Sequence, residues 1–332
     1  MIRVGIIGAG FWGGKHADAI KALSNVKLVA ANRTNSAALD EFVSEYGGAG
    51  YTDYRELLDN PQVDAVVIAT PHHMHTRIVL DAAKAGKHIL LEKPIAPNLE
   101  ECDQILQAVT EHRITIMAGH TNHFVPNYKY AKNLIESGEL GQPVMVTDRT
   151  LKRWWAPNRR EWHLDRDMGG GMWLTIGVHN VDRMTWLVGS RVQSVSAHLD
   201  TRFHQQLADD HGMAFLRFEN GIAGTVITVG YKTGVPCFDT EILCTNGMLR
   251  IDKMKGVSIG RDESWQKIPT GNEFDPENWM EEAMIEEWRA FISALETGSQ
   301  PEVTVEFARH IMAVIFAAEQ SSIEHREIPI PV

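Results

Sequence analysis

The 332 residues carry 32 Lys and Arg against 43 Asp and Glu, a formal net charge of -11, with 44% hydrophobic and 23% charged residues. That is the balance of a packed globular chain of about two domains, and its acidity excludes the basic surface that nucleic acid or an anionic membrane rewards. Three scattered cysteines, Cys102, Cys237 and Cys244, make neither a disulfide framework nor a zinc site.

Met1-Ile2-Arg3-Val4 leads straight into a strand, without a basic-then-apolar leader. No apolar run approaches the roughly 18 residues that span a bilayer, so the expected location is the cytoplasm. Short apolar runs at 4–7, 26–30, 65–69, 88–91 and 114–118 alternate with helical patterns at 15–23, 36–46, 75–85 and 99–111. Strands that are nearly all apolar, separated by helices, predict a doubly wound parallel sheet of the α/β class. After Pro126 the rhythm changes. Helices are expected at 128–137 and 172–187, then strands at 192–200, 213–219, 222–230, 239–244 and 248–252, with helices at 281–295 and 305–321 closing the chain. Asn220-Gly221 and Asn246-Gly247 are turn signals between strands, so the second part reads as an α+β domain with a mostly antiparallel sheet. The expected domains are 1–122 and 123–332.

Gly8-Ala9-Gly10-Phe11-Trp12-Gly13 follows the first strand and opens the first helix, the context that makes a glycine-rich match a dinucleotide loop. Gly8 permits the tight turn, Gly10 lets backbone approach a pyrophosphate, and Gly13 lets helix and strand pack closely. An acid closing the second strand would bind a ribose 2′-hydroxyl and favour NAD. Asn32-Arg33-Thr34 stands there instead. Asn32 brings no repelling charge and Arg33 offers a planar fork to a 2′-phosphate, so NADP(H) is preferred over NAD(H). Arg33 as a solvated helix-entry residue is the other reading.

Two segments can carry chemistry. Glu92-Lys93-Pro94 ends an apolar strand at the sheet's carboxyl edge, where Lys93 can stabilise charge developing on a substrate oxygen. Gly169-Gly170-Gly171 opens an apolar helical run in which Thr175 and His179, four apart, share a face. A histidine there suits proton exchange with a hydroxyl, and a packed helix with His179 as a satisfied core polar group is the plain alternative. Arg153-Trp154-Trp155 and Glu161-Trp162-His163 could stack on a ring and bind hydroxyls, or simply pack. His72, His73 and His75 crowd one turn without an acid or cysteine to complete a ligand set, so no metal is expected. The stretch 279–288 is expected to serve structure alone.

The loop, the Glu92-Lys93-Pro94 tripeptide and the glycine-rich helix ending in His179 together resemble the glucose–fructose oxidoreductase, inositol dehydrogenase and MocA (Gfo/Idh/MocA) family over essentially the whole chain. The resemblance implies a Rossmann domain followed by a domain whose large open sheet builds a homodimer or homotetramer. It implies hydride exchange between a nicotinamide and a secondary alcohol or carbonyl of a sugar, cyclitol or related ring. Lys93, His179 and Thr175 are the implied catalytic set. Gly8, Gly10, Phe11, Trp12, Gly13, Asn32, Arg33 and Thr34 would bind the cofactor. Thr70, Pro71, His72 and His75, as the loop beneath the nicotinamide, would join them with Glu92 and Lys93. Lys93, His120, Asn122, Trp154, Trp155, Trp162, Thr175 and His179 would meet the substrate. The chain departs from the family in having Thr175 for a frequent acid, His72 for a frequent asparagine, and histidine around 120–123 for a frequent arginine. A nicotinamide-dependent glycosidase that works by transient oxidation and a non-catalytic dinucleotide sensor remain open as alternatives.

Overall fold

The computed structural model describes residues 1–154, 160–269 and 278–331. The chain divides into two units, Met1–Thr121 with Met280–Arg309, and Asn122–Trp279 with His310–Val332.

Among the described residues, the first unit holds a six-stranded parallel sheet: β1 (Ile2–Ile7), β2 (Val26–Asn32), β3 (Ala49–Tyr51), β4 (Ala65–Ile68), β5 (His88–Glu92) and β6 (Ile116–Gly119), in the order β3-β2-β1-β4-β5-β6. The apolar runs are as buried as a sheet covered on both faces requires: Val4, Ile6, Ile7, Val66, Val67 and Leu90 are all 0% exposed. The strand order reverses between β1 and β4, which puts the ligand crevice beyond their carboxyl ends. Gly8 and Thr70 follow there. Short β3 and the helix Tyr54–Leu58 add to the expected elements, the helix being capped by Asp53, which accepts the Arg55 amide. Asn35 and Asn98 cap their helices likewise, through the amides of Ala38 and Glu101.

The second unit holds a nine-stranded sheet among the described residues. Its strands are β7 (Pro143–Arg153), β8 (Val192–Asp200), β9 (His211–Phe218), β10 (Ala223–Tyr231), β11 (Cys237–Cys244), β12 (Gly247–Asp252), β13 (Gly256–Arg261), β14 (Ser264–Ile268) and β15 (Ile328–Pro329). Their order is β14-β13-β12-β11-β7-β10-β9-β8-β15, antiparallel except where β7 runs parallel to β10. Strict alternation on β9 buries Gly212, Ala214, Leu216 and Phe218 and turns Met213, Phe215 and Arg217 outward. Both asparagine–glycine turns lie where the sequence puts them, with Gly221 at φ 86° and Gly247 at φ 143°. The helix Val178–Val188 packs on β7 and β10. Beneath it, Arg183 gives two hydrogen bonds to the fully buried Asp148, which also accepts from Thr240 and Asn180.

Candidate functional site

The glycine loop shows a separate physical reason for each glycine. Gly8 has φ +97°, and a Cβ there would lie 2.6 Å from the Ala69 carbonyl oxygen. A Cβ on Gly13 would lie 2.5 Å from the Gly8 oxygen and 3.1 Å from Ile6, so helix and strand meet at backbone distance. A Cβ on Gly10 would meet nothing within 4 Å. The helix Phe11–Lys21 that follows has no side-chain cap and no acid in its first turn, which leaves its first N–H groups for an anion. Phe11 and Trp12 are 59% and 39% exposed beside it.

A cleft of about 340 Å3 opens here, lined by Gly10, Phe11, Arg33, Ala38, Phe42 and Tyr46, with Asp18, Glu41 and Glu45 also in its walls. Asn32 is buried; its amide donates to the Tyr51 carbonyl, and its own carbonyl accepts the amides of Gly8 and Ala9. Arg33 is half-buried, with Nη1 3.5 Å from the Ala38 carbonyl, while Thr34 is exposed. The open side of Gly10 and the bare helix end fit a dinucleotide pyrophosphate.

Thr70 follows β4, and its Oγ1 is buried without a hydrogen-bond partner among the described residues, a second polar atom available to a ligand at this edge. Pro71 precedes a single turn, His72–Met74, from which the helix His75–Lys84 departs. His72 is buried, its ring 5.7 Å from that of His75. His75 lies with Nδ1 3.0 Å from the Pro94 carbonyl and Nε2 2.9 Å from the Thr70 carbonyl. Burial lowers its pKa, and a neutral ring donates to only one of the two. Each ring nitrogen thus faces a backbone carbonyl oxygen at hydrogen-bond distance, and the ring is held between Thr70 and Pro94.

Glu92, Lys93 and Pro94 sit on a fixed turn whose Lys93-Pro94 bond is cis. The Lys93 backbone N–H donates to Glu92 Oε2, and the half-buried lysine side chain continues from that anchor. Glu92 Oε1 lies 3.0 Å from His16 Nε2, and His16 Nδ1 accepts the Trp288 indole N–H at 3.1 Å. An indole can only donate, so the His16 proton sits on Nε2 and points at Glu92. Burial pushes the Glu92 pKa up, but the hydrogen bond from His16, aided by the Lys93 charge, outweighs it and holds Glu92 below the ordinary carboxyl range. Glu287 is the opposite case. It is fully buried, accepts from Thr121 and leaves Oε2 without a partner among the described residues, and burial, then the Glu92 charge, drives its pKa well above the ordinary range. The 279–288 stretch thus supplies two residues that frame Glu92, besides packing. No sequence signal tied them to it. His120, also in this unit, is buried against Phe307 with ring centroids 6.4 Å apart.

In the second unit the glycine-rich run is not one regular helix. Trp173–Gly177 is a π-turn and Val178–Val188 is α-helical, so spacing at 3.6 residues per turn does not carry across it. A Cβ on Gly177 would lie 2.9 Å from the Trp173 ring, which explains the glycine. The start of the turn is held by Asp209, whose carbonyl accepts the Met172 amide and whose carboxylate accepts the Trp173 amide at 2.6 Å. Thr175 is buried. From Val178 to Thr185, His179 alone is not buried.

The Asn122 amide nitrogen lies 3.0 Å from His179 Nδ1, and its oxygen 3.5 Å from Lys253 Nζ. An ammonium has only hydrogens to give, which orients the amide: oxygen to Lys253, N–H to the histidine. His179 Nδ1 is then an acceptor, and the ring proton is on Nε2. His123 lies beside this pair, 2.7 Å from Asp182 and stacked on Trp186 at 4.3 Å. Trp154 is fully buried on Met172 and Ile176, with its N–H on Gln206, a core position. Trp162 is half-buried and stacks on His163 at 3.7 Å. Trp155 lies outside the described residues.

Residues 2–120 match the model of the Gfo/Idh/MocA oxidoreductase family, NAD-binding Rossmann fold, and residues 128–250 match its C-terminal domain. The chain is also 31% identical to the uncharacterized oxidoreductase YrbE of Bacillus subtilis over 253 residues, 72% of each chain. The chain belongs to the Gfo/Idh/MocA oxidoreductase family. A myo-inositol 2-dehydrogenase of Thermotoga maritima is 25% identical over 338 aligned positions, 98% of each chain. The structure of a levoglucosan dehydrogenase in complex with NADH superposes with a TM-score of 0.91 at 24% identity, covering 99% of both chains. The resemblance carried by the glycine loop, the Glu92-Lys93-Pro94 turn and the His179 segment is thus confirmed, as is the fold class, and the protein is an oxidoreductase with an NAD-binding Rossmann domain.

Proposed function

We propose that the chain exchanges a hydride between a nicotinamide dinucleotide and a ring carbon bearing a hydroxyl or carbonyl, on a sugar, cyclitol or related compound. The observation that carries this reading is the half-buried His179, whose tautomer is set by Nδ1 accepting from Asn122, an imidazole of the kind that exchanges a proton with a substrate hydroxyl. The relatives' names, an inositol dehydrogenase and a levoglucosan dehydrogenase among them, support the substrate class. The nicotinamide, when bound, supplies the hydride acceptor or donor.

Lys93 places an ammonium against the substrate oxygen and stabilises negative charge there, from a backbone anchored by Glu92. His179, in the second unit, donates Nε2–H to a substrate oxygen. To accept the hydroxyl proton in oxidation, Nε2 must be bare and Nδ1 must carry the hydrogen. Turning the Asn122 amide so that its oxygen faces the ring provides this, and the proton then leaves through His179. Thr175, buried in the π-turn, supports the segment that presents His179. Gly10 and the bare helix end hold the pyrophosphate. Arg33, with the uncharged Asn32 before it, binds a 2′-phosphate, so NADP(H) is the preferred cofactor; Glu41 and Glu45 in the same cleft oppose that preference. Met145, Met213 and Phe215, exposed on the open sheet face, are covered in a homodimer or homotetramer. Among the described residues no helix is long and apolar enough to cross a membrane; the cytoplasmic assignment rests on composition.

Titrating the protein with NADPH and NADH in turn, followed by nicotinamide fluorescence, tests the first step, and a screen of sugars and cyclitols tests the second. Lys93→Met and His179→Ala should each lower kcat by about 100-fold or more and leave dinucleotide affinity nearly unchanged. Full turnover in both variants would remove the assignment.

A further inference from the structure

Where β8 ends and β9 begins, the second unit gathers side chains that hydride transfer does not use. His198 and Asp200 are two residues apart on β8 and so share a face. Asp200 is paired across the antiparallel ladder with His211. One ligand atom from each of the three side chains falls within 4.8 Å of the others, with His198 exposed and the other two half-buried.

The support around His211 distinguishes this group from a chance meeting of surface side chains. Its Nδ1 lies 2.9 Å from Oδ1 of Asp210, which is 0% exposed. The same carboxylate accepts the backbone N–H groups of Arg202, Phe203 and His204. A carboxylate so fixed keeps the ring proton on Nδ1 and leaves Nε2 as a lone pair in a set orientation. This carboxylate–histidine pairing is the one that orients metal-bound imidazoles. Asp200 is itself held by the Thr201 amide on Oδ1 and Arg202 Nε on Oδ2.

We propose that His198, Asp200 and His211 bind one divalent transition-metal ion of the zinc class. Two imidazoles and one carboxylate suit such an ion, whereas magnesium and calcium call for oxygen ligands throughout. Three protein ligands leave a coordination position for water. The ion clamps the end of β8 to the start of β9 and closes the loop of residues 201–210 between them. That loop carries Asp209, which holds the amides of Met172 and Trp173. Metal occupancy therefore stiffens the support of the segment that presents His179, without touching the reacting atoms.

The test is calorimetric titration of untagged, chelator-stripped protein with Zn2+ alone, with bound metal counted by mass spectrometry after dialysis. One equivalent per chain is expected, with a rise in Tm that tracks occupancy. His198→Ala and Asp200→Asn should each abolish the equivalent, Asp210→Asn should weaken it by about 10- to 100-fold, and His112→Ala, at an exposed helix end, should leave it intact. His198 is exposed, so its variant keeps its metal-free melting curve and carries the test even if Asp210→Asn does not fold. Retention of the equivalent in both His198→Ala and Asp200→Asn, or only weak binding of several ions without a Tm shift, would mean an adventitious ion only and overturn the site.

Discussion

Asn122 and His179 are joined at 3.0 Å by a hydrogen bond whose direction Lys253 decides from the other end of the amide. A half-buried lysine just after β12 thus selects which ring nitrogen of a half-buried histidine holds the proton.

Asn122→Asp makes that selection testable. A carboxylate can only accept, so His179 must place a hydrogen on Nδ1 and bare Nε2, and the imidazolium is stabilised. The acidic limb of kcat/KM for alcohol oxidation should move to higher pH. Asn122→Leu, which offers neither donor nor acceptor, should instead lower kcat by roughly 10-fold or more, with dinucleotide affinity unchanged. Identical pH profiles in the wild type and Asn122→Asp would separate the amide from the proton's path.

The first two glycines of the loop predict opposite phenotypes. Gly10→Ala adds a methyl where nothing lies within 4 Å, so Tm should hold while the dinucleotide Kd rises by about 10-fold or more. Gly8→Ala forces a Cβ to 2.6 Å from a carbonyl at φ +97°, so Tm itself should fall, by the equivalent of about 1–3 kcal/mol. Paired melting and fluorescence titrations read both.

Arg33→Ala tests the cofactor lean on its own. NADPH affinity should drop by about 10-fold or more while NADH affinity is held, since a guanidinium–phosphate contact is lost only with the former. Equal losses for both would show Arg33 acting on the adenosine as a whole.

Two carboxyls, Asp209 and Glu92, bend the stability curve in opposite senses. Burial pushes Asp209 up to about 7, with the Glu319 charge in the same direction and the Trp173 N–H opposing. Its folded pKa lies above its unfolded one, so its contribution is full below about pH 4 and is lost as pH rises through about 7. Glu92 has a lowered pKa, so its contribution is present above the ordinary carboxyl range and lost on acidification. Asp209→Asn keeps an acceptor for Trp173 and removes the charge. It should flatten the neutral limb of Tm against pH, by the equivalent of about 2–4 kcal/mol between pH 5 and pH 8, and leave the acid limb in place. An unchanged neutral limb would refute the assignment.

What the sequence made legible follows from distance along the chain. Gly8, Gly10 and Gly13 act within one strand–turn–helix unit, so spacing carries their roles. Glu92 is different: its partner His16 and the Trp288 that orients His16 lie on other elements, 272 residues apart from each other, and no local pattern joins them. Strand β7 escaped because its inward positions hold Asp148 and Thr150. Those polar residues are buried at the cost of pairing with Arg183 and Asn180, which inverts the apolar alternation that marks a strand. Trp154 illustrates the limit from the other side, since a tryptophan that binds a ligand and one that fills a core look alike until its burial is known. The π-turn at Trp173–Gly177 was equally hidden, because it needs Gly177 to yield to a ring four residues back.

Neither unit is a continuous stretch of chain. The first takes in Met280–Arg309, where Val303 accepts the Ala118 amide next to β6, and the second is completed by β15 at Ile328–Pro329 along the edge of β8. During synthesis, each core must therefore wait for segments that emerge long after its first strands. The early strands leave the ribosome with apolar faces uncovered until Met280–Arg309 completes the first unit and His310–Val332 the second.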